Sequence, residues 1–207
     1  MAKLQSSFKN MALSLTCIAL VAAGALAGVY MLTMAPIEAA MKAKQEAAIM
    51  QVLPQVEGLQ VAEAQVFNGL TYYKAYVGEE WVGTAVEAST EGNVNMPFGG
   101  TFRLMVGFDN VGNVINYVVL EQAETPGLGA LMVSWFCNAD KPGQNIIGKN
   151  PATTNFTVSK DGGDIDAITA STITSRAFLE VVVKAFNAIA QQPMPLEAIS
   201  GATQVVE

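Results

Sequence analysis

The chain has no histidine and only two cysteines among its 207 residues. The first absence excludes every catalytic triad and metal centre that depends on an imidazole. Two thiols are too few for a zinc or iron-sulfur site. Cys17 falls in a long apolar run and Cys137 far downstream in a mixed-polarity region, so they do not staple one another and no disulfide framework is expected. Positive charge is also scarce. Eleven Lys and Arg stand against 18 Asp and Glu, a net charge of −7, and the cations are scattered. A phosphate-backbone binder needs them clustered, so nucleic acid is not an expected partner. Chemistry carried out by such a chain needs an imported cofactor.

What is abundant is apolar surface, and its distribution is uneven. Mean hydropathy is +0.33, high for a soluble domain. No charge interrupts the chain between Lys9 and Glu38, and Met11 to Ala35 is apolar nearly throughout. That run is long enough to cross a hydrocarbon core, which takes about 20 helical residues. Lys3, Lys9 and Ala25-Leu26-Ala27 also fit a cleaved signal peptide, but the apolar run continues through Val29, Tyr30, Met31 and Leu32, beyond the usual length of such a segment. The expectation is a retained anchor. Its basic flank predicts a cytoplasmic N-terminus, with the remaining chain outside the cytoplasm.

Residues 1–35 are therefore expected to form the cytoplasmic terminus and anchor, and 36–58, after Pro36, an amphipathic linker helix. Residues 59–190 form one domain and 191–207 an irregular tail with Pro193 and Pro195. Within the domain, Leu59 to Phe67, Leu70 to Val77 and Glu80 to Ala88 read as strands separated by Asn68-Gly69 and Gly78-Glu79 turns. Thr101 to Phe108 and Val114 to Gln122 form a second hairpin around Asp109 to Asn113. Gly127 to Asn138 reads as a short helix and Asn155 to Lys160 as a strand. Thr172 to Ala190 reads as a longer helix with Phe178, Val182, Ala185, Phe186 and Ile189 on one face. The fold class is α+β: one transmembrane helix and an antiparallel-sheet domain with flanking helices.

Three segments carry candidate chemistry. Asp166 to Arg176 is a hydroxyl-rich run that opens a helix. Its Ser and Thr residues either cap free backbone amides or present a hydroxyl to a phosphate where the amides and helix dipole favour an anion. Glu124-Thr125-Pro126-Gly127-Leu128-Gly129 is either a plain strand-to-helix turn or a loop whose glycines let backbone approach a ligand. Met96 to Gly100 is equally a loop or a cofactor wall.

In this order and spacing the three segments closely resemble the FMN-binding domain family shared by the RnfG protein of Rnf-type complexes and the NqrC protein of the sodium-pumping NADH:quinone oxidoreductase. The likeness includes the anchor. It implies FMN carried covalently, its phosphate esterified by a flavin transferase, with FAD as donor, to the threonine of an Asp-x-x-Ser/Thr-Gly-Ala-Thr motif. Asp166 then takes the acidic position, Thr169 the Ser/Thr position and Thr172 the attachment position. Ala170 replaces the usual glycine and Ser171 the usual alanine. Thr174 would cap the helix or contact the phosphate, and Arg176 would offer its guanidinium to it. Glu124 to Gly129 matches the family's second mark in full, so Gly127, Leu128 and Gly129 would line the flavin and Thr125 would hydrogen-bond it. A second stretch, Ser200-Gly201-Ala202-Thr203, fits the motif core better, but only four residues follow it and no helix start is available there. Thr172 is the expected site.

The resemblance further implies an intermediate one-electron carrier in a bacterial cytoplasmic-membrane complex that passes electrons between ferredoxin and NAD while moving Na+ or H+. Other membrane and redox subunits would be its partners. The stretch after Thr172 is closer to the Rnf branch than to the quinone-reducing one. The alternatives are that second branch, or a tethered binding module that keeps the fold without flavin.

Overall fold

The computed structural model describes residues 7–190. They open with one helix, α1 (Phe8–Val52), of 45 residues. At 1.5 Å per residue it is about 68 Å long. It is long and apolar enough to cross a membrane. The expected break at Pro36 does not occur, since the proline lies inside the helix. Proline deletes one rung of the hydrogen-bond ladder, but Pro36 is followed by Ile37-Glu38-Ala39-Ala40-Met41-Lys42-Ala43-Lys44, rich in strong helix formers, and the helix resumes.

The chain divides into two units, Met1–Lys44 and Gln45–Glu207. The first is the apolar helix. The second begins with the last turns of α1 and contains a sheet of β1 (Leu59–Val61), β2 (Gln65–Phe67), β3 (Leu70–Val77), β4 (Glu80–Ser89), β5 (Arg103–Asp109) and β6 (Val114–Glu121). Strand order is β1-β3-β4-β5-β6, with β2 also paired to β3, and every pairing is antiparallel. The β2–β3 turn is Asn68 (φ 50°) and Gly69 (φ 76°). Two left-handed residues in succession match the twist of a tight hairpin, which is why Asn-Gly marks it. The single strand expected over Leu59 to Phe67 is split, because residues 62–64 leave the ladder between β1 and β2.

Each face of the sheet has its own cover, and strand alternation decides which residues meet which. On one face, Ala48, Ile49, Val52 and Leu53 from the end of α1 pack with Ala75, Ala85, Met105 and Leu120. Gly107 is required there: a Cβ would run into the backbone of Val52. On the other, α3 (Thr172–Ile189) buries Phe178, Val182, Ala185 and Phe186 with Leu104, Val106, Phe108 and Tyr117. Phe178 stacks on Phe136, with centroids 4.2 Å apart, and meets Tyr117 edge-on at 4.9 Å. The class is α+β, as the periodicity predicted.

Asn155 to Lys160, expected as a strand, is not one. Val158 makes an isolated parallel bridge to Ile165, and Ser159–Asp161 form a 3-10 turn. The backbone groups are claimed locally: Ser159 N donates to Ile165 O (2.7 Å), Ile165 N to Thr157 O (3.2 Å) and Asp164 N to Asn155 O (3.0 Å).

Candidate functional site

The site lies where the loop after β6, the loop before β5 and the N-terminus of α3 converge. In the first of these, Leu128 N donates to Thr125 O (3.1 Å) and Gly127 has φ 76°. Pro at the second position and a left-handed glycine at the third is the pattern of a type II turn. Thr125, Pro126, Gly127 and Leu128 are exposed, whereas Glu124 and Gly129 are buried. The helix expected from Gly127 to Asn138 is shorter: a 3-10 turn over Gly129–Leu131, then α2 (Met132–Trp135). Tyr117 anchors its start by donating from its hydroxyl to Met132 O at 2.6 Å. Burial raises the Tyr117 pKa well above the ordinary phenol value, so this hydroxyl stays a donor.

The second part is the start of α3. Ser171 N donates to Ile168 O (3.0 Å), closing a turn in which Ala170 stands at φ 60°. An L-residue there costs about 1–2 kcal/mol, which explains why the family motif has glycine. Ser171 is the N-cap residue but makes no side-chain cap bond. Its hydroxyl donates to Thr174 Oγ1 (2.8 Å) instead. Ser175 Oγ binds back to Ser171 O and accepts from Ile168 N, both at 2.9 Å, fixing the turn from inside. Thr172, half-buried, is the first helical residue, and its Oγ1 accepts from Lys160 Nζ at 3.3 Å. Thr169 and Asp166 are exposed. Asp166 is held by its backbone, accepting from Trp135 Nε1 (2.9 Å) and donating to Gly143 O (2.7 Å). Its carboxyl lies where a Gly143 Cβ would be.

Glu124 joins the parts. One carboxyl oxygen accepts from Gly99 N at 2.6 Å and the other from Thr174 Oγ1 at 2.9 Å. One side chain thus ties the Met96 to Gly100 loop, the proline-glycine loop and α3. The carboxyl also occupies the space a Gly129 Cβ would need, so the second glycine serves to seat Glu124. Further along α3, Glu180 accepts from Val94 N (2.7 Å) and Asn95 N (3.1 Å), and Lys184 donates to Glu91 O (2.7 Å). Both hold the loop carrying Met96 to Gly100. Burial pulls the Lys184 pKa down against the opposing pull of Glu180 and Glu91.

Arg176 is placed differently from its expected task. Its Nε and Nη2 donate to the two oxygens of Asp161 at 2.7 and 2.8 Å. That hydrogen-bonded guanidinium holds the Asp161 carboxyl below its ordinary range. The structure therefore brings together Glu124, Gly129, Thr174 and, through Ser171, the residue preceding Thr172. Thr125 and Leu128 stand on the exposed rim. Sequence reasoning missed Glu180, Lys160, Asp161 and the tie from Gly99. Thr203 lies outside the described residues.

A cavity of about 580 Å³ lies at the opposite end of α3, lined by Trp81, Val111, Phe186 and Ile189 among others. It is far from Thr172 along the helix axis. Among the described residues no group of three or more His, Cys, Asp or Glu side chains is placed to hold a metal ion.

An apolar N-terminal helix followed by an antiparallel-sheet domain with this loop-and-helix site defines a membrane-anchored flavin-binding class of protein. Residues 98–187 match the FMN-binding domain and residues 1–52 the RnfG N-terminal region. The RnfG-type component of the ion-translocating oxidoreductase complex of Haemophilus influenzae (strain PittEE) is 31% identical over 158 residues, covering 73% of this chain and 75% of the relative. The corresponding protein of Yersinia pestis is 32% identical over 155 residues (69% and 71%). That of Escherichia coli K12 is 35% identical over 152 (69% and 71%). The chain belongs to this RnfG family of ion-translocating oxidoreductase components.

Proposed function

We propose that this chain is the electron-carrier subunit of an Rnf-type ferredoxin:NAD oxidoreductase, holding FMN through a phosphoester to Thr172 on the extracytoplasmic side of the membrane. The observation that carries the reading is the position of Thr172 as first residue of α3, on a helix start with no side-chain cap, joined through Ser171, Thr174 and Glu124 to the family's glycine loop.

The residues fit the group. A phosphate on Thr172 Oγ1 would meet the free amides and positive end of an 18-residue helix, a favourable environment for an anion. Leu128, Leu131 and Phe98 offer exposed apolar surface on the rim for an aromatic ring system. FMN would supply the redox chemistry. The protein's part is to hold, orient and tune it, and no general acid or nucleophile of this chain is called upon in turnover. Glu124 keeps the loops in register, and the buried stripe of α3 fixes the helix on the sheet. An ester bond prevents loss of FMN outside the cytoplasm, where the basic flank of Lys3 and Lys9 would leave the domain. A flavin transferase would install it. The membrane and redox subunits of the complex would be its electron donor and acceptor.

Peptide mass spectrometry of the denatured, trypsin-digested protein tests this. Cleavage after Lys160, Arg176 and Lys184 separates Thr172 from Thr203. FMN localised to Thr172 within residues 161–176 supports the reading. FMN on the C-terminal peptide keeps the carrier role and overturns the site. No FMN on either, from cells that flavinylate other targets, leaves a tethered module without flavin.

A further inference from the structure

Taking the attachment at Thr172 as its premise, we infer that Lys160, not Arg176, is the side chain that neutralises the phosphate on that threonine. Two cations flank the start of α3. Arg176 is one helical turn from Thr172 and is the obvious candidate from sequence spacing. Its Nε and Nη2 are committed to Asp161 at 2.7 and 2.8 Å, in a pair whose side chains are largely buried. A phosphate brought against that guanidinium would face the Asp161 carboxylate as well. Lys160 approaches from the preceding loop, with Nζ 3.3 Å from Thr172 Oγ1, the oxygen that becomes the ester bridge. The non-bridging phosphate oxygens lie just beyond it, within reach of a flexible ammonium group.

The fold builds this approach. Lys160 is the middle residue of the 3-10 turn Ser159–Asp161, which ends in a left-handed Gly162 (φ 85°). Gly163 follows, where a Cβ would collide with the Thr157 carbonyl. The two glycines turn the chain back over the helix start. Asp161, next to Lys160, then fastens the turn to α3 through Arg176. Asp161 and Arg176 are thus positioning residues, and Lys160 is the contact residue. In the transfer step the Thr172 Oγ1–phosphorus bond forms, the pyrophosphate bond of a flavin dinucleotide donor breaks, adenosine monophosphate leaves, and the hydroxyl proton passes to solvent or to the transferase. Lys160 faces the oxygens on which charge is concentrated in that step.

The test uses the full-length protein in detergent with the flavin transferase and FAD, followed by intact-mass spectrometry, which does not depend on the tryptic site at Lys160. Lys160→Ala should slow FMN incorporation about tenfold, as expected for loss of one charge-assisted contact at an exposed position, and Lys160→Arg should restore most of the rate. The flavin-free Lys160→Ala protein should melt with the wild type. Thermal melting of fully loaded samples then removes the transferase from the comparison. The difference in melting temperature between loaded and flavin-free protein should be smaller in Lys160→Ala than in wild type, and less sensitive to salt. Equal loading rates, or a slowed rate with an unchanged difference in melting, overturns the assignment of Lys160 while leaving the Thr172 site intact. A wild-type protein that takes no FMN at Thr172 overturns both.

Discussion

Replacing Glu124 probes the whole site at once, because its carboxyl links three segments. Glu124 is 7% exposed and accepts from Gly99 N at 2.6 Å and from Thr174 Oγ1 at 2.9 Å. Glu124→Ala removes both acceptors, and a buried donor left unpaired costs about 1–3 kcal/mol. Thr174 has an escape, since a helical threonine can turn its proton to the carbonyl one turn back, so the expected loss is about 2–4 kcal/mol rather than the sum of two full penalties. Glu124→Gln keeps one acceptor and sets an amide donor against the other partner, for a loss of about 1–2 kcal/mol. For a chain of this size each kcal/mol moves the melting temperature by about 2–4 °C. Thermal unfolding of the full chain in detergent, followed by tryptophan fluorescence, reads this directly, because Trp135 donates to Asp166 O within the site. An alanine variant that melts within about 1 °C of the wild type, or one at least as stable as the glutamine variant, would refute the account of Glu124 as a buried link.

Three further outcomes are expected. Gly129→Ala drives a Cβ into the Glu124 carboxyl and should lower stability by about 1–3 kcal/mol, the range for overpacking, measured by the same melt. Ala170→Gly removes an L-residue from φ 60°; the relief of about 1–2 kcal/mol is partly offset by glycine's greater unfolded-state freedom, leaving a net gain of about 0.5–1 kcal/mol in the same assay. The Asp161 carboxyl has its pKa lowered by the Arg176 hydrogen bond, so its contribution is present above the unfolded-state value near 4 and is lost as pH falls through the lower folded value. The melting difference between wild type and Asp161→Asn should therefore be constant near neutral pH and shrink below about pH 4; a difference that persists there refutes the pairing.

Much of the fold was legible because its signals are local. β3 starts and ends where alternation and the Asn68-Gly69 turn placed it, and β4 to β6 agree within a residue or two. α3 follows from its apolar stripe. The misreadings are places where a local signal competes with something the sequence does not display. Pro36 marks a helix end only if the flanking residues are weak helix formers, and they are not. Val158 and its neighbours have strand composition, but their backbone groups are paired across a short loop with Thr157, Ile165 and Asn155 instead of with a strand.

The site divides along the same line. Its proposed attachment position and its glycine loop follow from spacing within short motifs, so Thr172 and Glu124 to Gly129 could be named at once. Their connection could not, because Glu124 and Thr174 are 50 positions apart and the bond depends on β6 ending beside the start of α3. Read alone, Gly129 is a residue that lets backbone approach a ligand. In the fold its lack of a side chain makes room for the Glu124 carboxyl, which makes it a packing requirement of the protein itself. Arg176 shows the converse. Its sequence distance from Thr172 is right for a phosphate partner, yet Asp161 holds it in two short hydrogen bonds, and what it contributes to the site is the placement of the turn that carries Lys160. A cation near an attachment residue is thus assigned by what its own hydrogen bonds leave free, which at this site selects the lysine 12 residues upstream of Thr172.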